Sequence, residues 1–493
     1  MKQSFIYTIL LLFIYSCSGT QHLQNRKAKN HNELAYQIES IFQDSAFAHA
    51  HWGASIKSLK TGKVLYEQNA NKLFLPASNT KIPTAANTFL ELGTDFQFET
   101  ILYSDATIRD SILMGNLYIK GSGDPTFYEE FYDSTTAVFF DWANVLKSKG
   151  IKTIKGDIIG DESVFDESRL GYGWVFDNFD TWYSAEYGPL QINENYVDIT
   201  IIPPTTSEDS TQIIPNISSS YFSIINKTVL ADTGKSSISV QRKHGSNEIL
   251  ISGTLVIGSN KLVRSPSITN PGLFFTMVLK ETFERNGISV LGTSSVFSDT
   301  LRSDSLLTIS DTLLVHLSPD GHSIITKLMK RSQNMYAETM PRFVAYQKTG
   351  YGTFEKWLEI IEPNMEMMGI AKDSYQYADG SGLARYNYFS PNQFRSILEY
   401  MYFSAFKEQW LEVFPIGGVD GTLKRRMIGT AAENNVRAKT GTISNSRGLS
   451  GYVTSKSGEE FVFSFLVNGH LLSSSDTDRI TDSILALIAD FDR

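Results

Sequence analysis

Pro76-Ala77-Ser78-Asn79-Thr80-Lys81-Ile82-Pro83-Thr84 reads as a turn running into a helix, with a serine at the helix entrance and a lysine three positions on. Residues three apart share one face of a helix, so the Lys81 amine can meet the Ser78 hydroxyl without any long-range folding. A serine hydroxyl is a weak nucleophile until a base takes its proton. A lysine serves as that base when burial or a neighbouring cation lowers its pKa. Ser78 is therefore the candidate acylated nucleophile and Lys81 the candidate general base. The pattern is cheap, and Ser404-Ala405-Phe406-Lys407 repeats it, so context has to select between the copies.

Outward from this stretch the chain changes character twice. Before it, Leu34, Ile38, Ile41 and Phe42 fall at helical spacing, and a hairpin turns at Lys60-Thr61-Gly62-Lys63. From residue 97 to 305 short strands alternate with turns, as in Ile154–Asp161, Ser237–Lys243 and Glu248–Ile257. Residues 171–190 are rich in aromatics, which we expect to form packed core or a domain junction. Helical periodicity returns over Ser323–Arg331 and Met335–Tyr346, and the chain closes with strands at Gly448–Lys456 and Glu460–Asn468 and a helix at Thr477–Asp490. The outline is one α/β (α+β) domain, residues 34–96 and 306–493, interrupted at 97–305 by a β-rich region of two nested modules. A chain of 493 residues is too long for one ordinary core.

Two further patterns complete the first. Ser-x-Asn occurs at Ser332/Asn334 and Ser390/Asn392, and Lys-Thr-Gly from Lys60, Lys348 and Lys439. Most copies have structural work: Ser390 precedes Pro391 as a helix cap, Lys60-Thr61-Gly62 is a hairpin turn, and Gly350 ends a helix. Lys407 precedes Glu408 and is expected in solvent. What remains, in order, is Ser78, Ser332 and Lys439. Attack on an amide carbonyl creates an oxyanion, which the N–H of Ser78 and one from the strand edge at Thr442 can stabilise. Gly441 lets a substrate approach that strand. Lys439 and Thr440 can bind a free substrate carboxylate. Ser332 can carry a proton to the leaving amine, and Asn334 can bond a substrate amide and orient Lys81. The Lys439 ammonium adds a reason for a depressed Lys81 pKa.

These motifs are similar to those of penicillin-binding proteins and class A β-lactamases. The chain more closely resembles the D-alanyl-D-alanine carboxypeptidase/endopeptidase family, the class C low-molecular-mass penicillin-binding proteins. The resemblance extends to Asp379-Gly380-Ser381-Gly382-Leu383-Ala384-Arg385, Gly417-Gly418-Val419-Asp420-Gly421-Thr422-Leu423, Gly123-Asp124-Pro125-Thr126 and Leu449-Ser450-Gly451-Tyr452. Ala384 departs where the family has serine. The long insertion between Ser78 and Ser332 is also typical of the family, and the likeness covers residues 34–490. It implies a β-lactamase/transpeptidase-like fold with a sheet built from both ends of the chain. It implies cleavage of peptidoglycan stem peptides through an acyl-enzyme on Ser78, inhibition by β-lactams, and no metal or organic cofactor. By the same resemblance Asp379 and Arg385 border the site, either touching substrate or holding a tight glycine turn.

Composition is globular, with 41% hydrophobic and 20% charged residues, and net charge is −9. With no basic run longer than Lys424-Arg425-Arg426, nucleic acid is not an expected partner. The single cysteine, Cys17, excludes an intrachain disulfide. Lys2, the apolar run from Phe5 to Ile14 and Ser16-Cys17 resemble a bacterial lipoprotein signal: residues 1–16 removed, Cys17 lipidated and membrane-anchored, residues 17–33 a tether. A plain secreted protein with an inert Cys17 is the alternative. Other readings of the whole are a β-lactamase-like hydrolase or esterase, or an inactive cell-wall-binding lipoprotein. The long insertion weighs against the former and the intact set of polar residues against the latter. The balance between carboxypeptidase and endopeptidase action depends on cleft shape.

Overall fold

A computed structural model of the protein describes residues 27–492. The proposed signal segment and Cys17 lie outside these residues. The tether is shorter than expected at its far end. Asn30 accepts from Glu33 N and opens the helix His31–Phe42, because an Asn side chain satisfies an N–H group that a helix start leaves free.

One antiparallel sheet draws its strands from both ends of the chain, in the order Arg437–Ile443, Ser446–Thr454, Glu460–Asn468, His51–Ser58, Val64–Gln68. Glu460–Asn468 shows why it sits centrally. Its Phe461, Phe463, Phe465 and Val467 join one apolar cluster, and Val462 and Leu466 join another. Side chains alternate across a strand, so a strand covered on both faces reads as a near-continuous apolar run. The first cluster is closed by His31–Phe42 and Ser474–Asp490 through Leu34, Ile38, Ile484 and Ile488. The second is closed by Lys81–Leu92, Asn334–Thr349, Phe354–Met367 and Pro391–Tyr402. Truncating a fully buried phenylalanine such as Phe463 costs about 3–5 kcal/mol, so this sheet is a rigid platform for the edge strand Arg437–Ile443.

The inserted chain forms four sheets. Leu113, Ile119, Ile201 and Ile251, one from each, belong to a single apolar cluster, so the two modules expected share one core. The expected boundary at 305 also shifts. It falls inside the helix Thr300–Ile309, and Asp311–Leu317 then pairs antiparallel with Glu99–Ser104. Backbone pairing in the inserted sheet thus holds the chain to Leu317, and the helices of the first domain resume at Gly321. The aromatic stretch is only partly core. Trp174 and Tyr187 are buried, whereas Tyr172, Phe176 and Trp182 are exposed. Among the described residues no helix is long and apolar enough to cross a membrane.

Candidate active site

Ala77–Thr80 forms a single 3-10 turn that runs directly into the helix Lys81–Leu92, so Ser78 stands at the entrance as expected. Ala77 has φ +48°, a left-handed conformation that costs a non-glycine residue about 1–3 kcal/mol. Its surroundings enforce it. Thr80 Oγ1 donates to the Ala77 carbonyl at 2.9 Å, and Gly382 packs so closely behind that a Cβ there would lie 1.9 Å from the same oxygen. The helix is buried from Lys81 to Phe89, with Ala85, Ala86 and Phe89 fully enclosed, and Gly93 ends it at φ +76°.

Lys81 is fully buried. Its Nζ lies 2.9 Å from Ser78 Oγ and donates to Asn334 Oδ1 at 2.6 Å and to the Ser381 carbonyl at 2.7 Å. A neutral amine has two N–H bonds and one lone pair. The two carbonyl oxygens, which can only accept, take the two N–H bonds, and the lone pair is left for the Ser78 hydroxyl. Burial lowers the Lys81 pKa to about 7, against the opposing pull of the Asp379 and Glu338 carboxylates. Of the two expected causes, burial acts on Lys81, and the repulsion between the lysines acts on Lys439 instead. Lys439 is held well below the ordinary lysine range by burial and then by Lys81.

Ser332 ends the helix Gly321–Arg331 in the left-handed conformation, φ +61°, and Gln333 turns the chain into Asn334–Thr349. This break aims Ser332 Oγ at Lys439, whose Nζ donates to it at 2.7 Å and to the Thr440 carbonyl at 2.8 Å. Asn334 spends its amide donor on the Tyr183 carbonyl at 2.7 Å, so its orientation is fixed from the inserted region. Thr440 Oγ1 donates to Thr422 Oγ1 at 2.7 Å. Gly441 faces the Ser78 turn, where an added Cβ would lie 2.6 Å from the Pro76 carbonyl and 3.2 Å from Ser78 N. Only glycine lets the strand come this near. Thr442 is exposed, and its hydroxyl accepts from Arg447.

The alternatives for Asp379 and Arg385 separate. Asp379 is buried and saturated, accepting from Gly382 N and Ala384 N at 2.7 Å, Asn387 Nδ2 at 2.7 Å and Trp174 Nε1 at 2.8 Å. It holds the glycine turn that presents the Ser381 carbonyl to Lys81. Arg385 is exposed and takes no part in that turn. Three decoys have the settings expected of them: Ser390 caps Pro391–Tyr402, and Gly62 and Gly350 lie in the left-handed region. Lys407 differs, since its ammonium is not simply in solvent but sits over the Tyr402 ring.

Some of the surrounding polar residues were not identified from sequence. Glu338 is fully buried and accepts from Ser381 N at 2.9 Å and Gly380 N at 3.2 Å. Burial, and then Asp379, raise its pKa to about 7. Its place four residues after Asn334, on the same helix face, was a legible signal. Thr422 lies in the segment 417–423 but had no role assigned to it, and Tyr183 and Trp174 carried no signal, since their partners are distant in sequence.

Comparison with known proteins agrees with this geometry. The model of the D-Ala-D-Ala carboxypeptidase 3 (S13) family matches residues 34–490. A D-alanyl-D-alanine carboxypeptidase of Actinomadura sp. (strain R39) is 27% identical over 99% of this chain and 90% of its own length. The D-alanyl-D-alanine carboxypeptidase DacB of Haemophilus influenzae is 27% identical over 85% of each chain. The crystal structure of penicillin binding protein 4 from H. influenzae superposes with a TM-score of 0.77 at 24% identity, covering 91% of this chain and 98% of that one. That protein has also been crystallised with a β-lactam. The fold is therefore of the penicillin-binding protein type.

Proposed function

Since this chain belongs to the D-Ala-D-Ala carboxypeptidase (S13) family of serine-type peptidases, we propose that Ser78 is the nucleophile that removes the terminal D-alanine from peptidoglycan stem peptides. The observation that carries this is the set of three contacts on Lys81. Two carbonyls occupy its N–H bonds and leave the lone pair to the Ser78 hydroxyl. Lys81 takes that proton as Oγ attacks the penultimate D-alanine carbonyl. The N–H groups of Ser78 and Thr442 stabilise the oxyanion. Lys439 and Thr440 hold the terminal carboxylate, and binding of an anion restores the charge that burial takes from Lys439. Ser332 passes a proton to the leaving amine, and water then hydrolyses the ester on Ser78. General acid–base transfer of this kind contributes about 10²–10⁴ in rate. β-Lactams acylate the same oxygen. Export to the cell envelope, with an anchor on Cys17, places the enzyme at its substrate.

The test is incubation of residues 18–493 with a fluorescent penicillin and, separately, with a stem pentapeptide. Stable label on the wild type that Ser78→Ala abolishes, together with D-alanine release, is the expected result. Label without release favours a binding protein, and rapid turnover of the penicillin favours a β-lactamase.

A further inference from the structure

Asn193, Glu194 and Asn195 form three consecutive left-handed residues, with φ of +51°, +51° and +57°. Asparagine tolerates this region, but a glutamate between two of them is an outlier that its surroundings must enforce. They do. Asn193 Nδ2 donates to the Tyr196 carbonyl at 2.7 Å, and Asn193 Oδ1 accepts from Asn216 Nδ2 at 2.9 Å. Asn195 Nδ2 donates to the Glu186 carbonyl at 2.7 Å. The product of this tightly held turn is the placement of one buried carboxylate. Glu194 Oε2 accepts from Gln333 Nε2 and from Tyr196 OH, and Oε1 lies 3.8 Å from Arg331. Gln333 and Arg331 are the two neighbours of Ser332.

Ser332 itself is left-handed, between two helices that leave its backbone no continuous ladder. Its conformation aims Oγ at Lys439. A strained residue keeps its geometry only where both flanks are held, and the inserted region holds both: Glu194 accepts from Gln333, and Arg331 pairs with Glu130 at 2.6 Å with Glu194 3.8 Å away. We propose that Glu194 is a positioning residue for the reaction, keeping Ser332 in register with Lys439 through its hydrogen bond from Gln333. This makes the inserted region part of the catalytic framework, since the same face also fixes Asn334 through the Tyr183 carbonyl. The inference rests on the role given to Ser332 under Proposed function.

The experiment measures Ser78 acylation by a fluorescent penicillin, resolved into a binding constant and a first-order rate, for three forms of the whole protein: wild type, Glu194→Gln, and the exchange Glu194→Gln/Gln333→Glu. The near-isosteric amide keeps the volume but puts an N–H donor where an oxygen accepts from Gln333. Misplacement of a reacting group by a fraction of its contact distance lowers rates by up to about 10²-fold. We expect a first-order rate in Glu194→Gln reduced by about that much, binding changed by less than about 3-fold, and recovery in the exchange, which rebuilds the carboxylate–amide contact with roles reversed. A wild-type rate in Glu194→Gln overturns the proposal, as does an exchange variant that is folded by thermal melting yet acylates as slowly as the single variant. Should Glu194→Gln fail to fold, the exchange variant alone decides on the same criterion. Absence of any acyl adduct in the wild type defeats the assignment of Ser78 instead, so the two failures are distinct.

Discussion

Asn334 Oδ1 accepts from Lys81 Nζ at 2.6 Å, across 253 positions of sequence. This contact adds a distant acceptor to a local pair, serine and lysine on one helix entrance, and fits the base role proposed for Lys81. Substituting the acceptor tests it directly. Asn334→Asp puts a negative charge on the amine, which favours the ammonium form. The rising limb of acylation against pH is expected to move upward by at least one unit, on the order of an opposite charge at this range. An unmoved limb would separate Lys81 from the base role.

In the wild type, the base role proposed for Lys81 requires its neutral form. With its pKa near 7, the acylation rate is expected to climb through neutral pH and level off above it, measured as label formed per unit time with fluorescent penicillin. The sign for stability runs the same way. Between the folded value near 7 and the ordinary 10.5, the unfolded chain holds the extra proton, so the Lys81 contribution to stability improves as pH rises through that window and its cost is full below it.

Gly441→Ala puts a Cβ 2.6 Å from the Pro76 carbonyl. The edge strand must withdraw from the Ser78 turn, widening the space between the two proposed oxyanion donors. Acylation is expected to fall by about 10²–10³-fold, the loss typical of one oxyanion donor, and the melting temperature to drop as well, because the clash is with backbone. A wild-type acylation rate would remove the strand edge from the site.

Asp379 and Arg385 should part company in a denaturation experiment. Asp379→Ala leaves the buried donors of Trp174, Asn387, Gly382 and Ala384 unpaired, and a loss of about 3–5 kcal/mol is expected. Arg385→Ala is expected to stay within about 0.5 kcal/mol of wild type. If Arg385 touches substrate, its loss raises KM for the stem peptide without altering penicillin acylation.

Much of the site was legible because its chemistry is local in each piece. Ser78 and Lys81 meet within one turn, and each decoy had a visible structural task, such as Ser390 before Pro391 or Gly350 after a helix. The central strands were legible because Glu460–Asn468 is apolar on both faces. The boundary at 305 was not, because the strand Asp311–Leu317 is held by pairing with Glu99–Ser104, and strand pairing leaves no mark in the flanking residues. The sequence allows either burial or a neighbouring cation to depress the Lys81 pKa, and only packing shows that burial is the cause that acts, since spacing does not reveal desolvation.

The sequence by itself determined which residue types can perform acyl transfer here, and which copies of each motif were free to do so. Hydroxyl, amine and amide chemistry is carried by residue identity, and helical spacing brings the first pair together. Only the tertiary structure decided that Lys81 is buried with a lowered pKa, what Asp379 holds, and that Glu194 reaches Gln333 from the inserted region. Those outcomes depend on desolvation and on hydrogen bonds between atoms far apart in the chain, and both arise only when the sheet, its helices and the insertion close on one cleft.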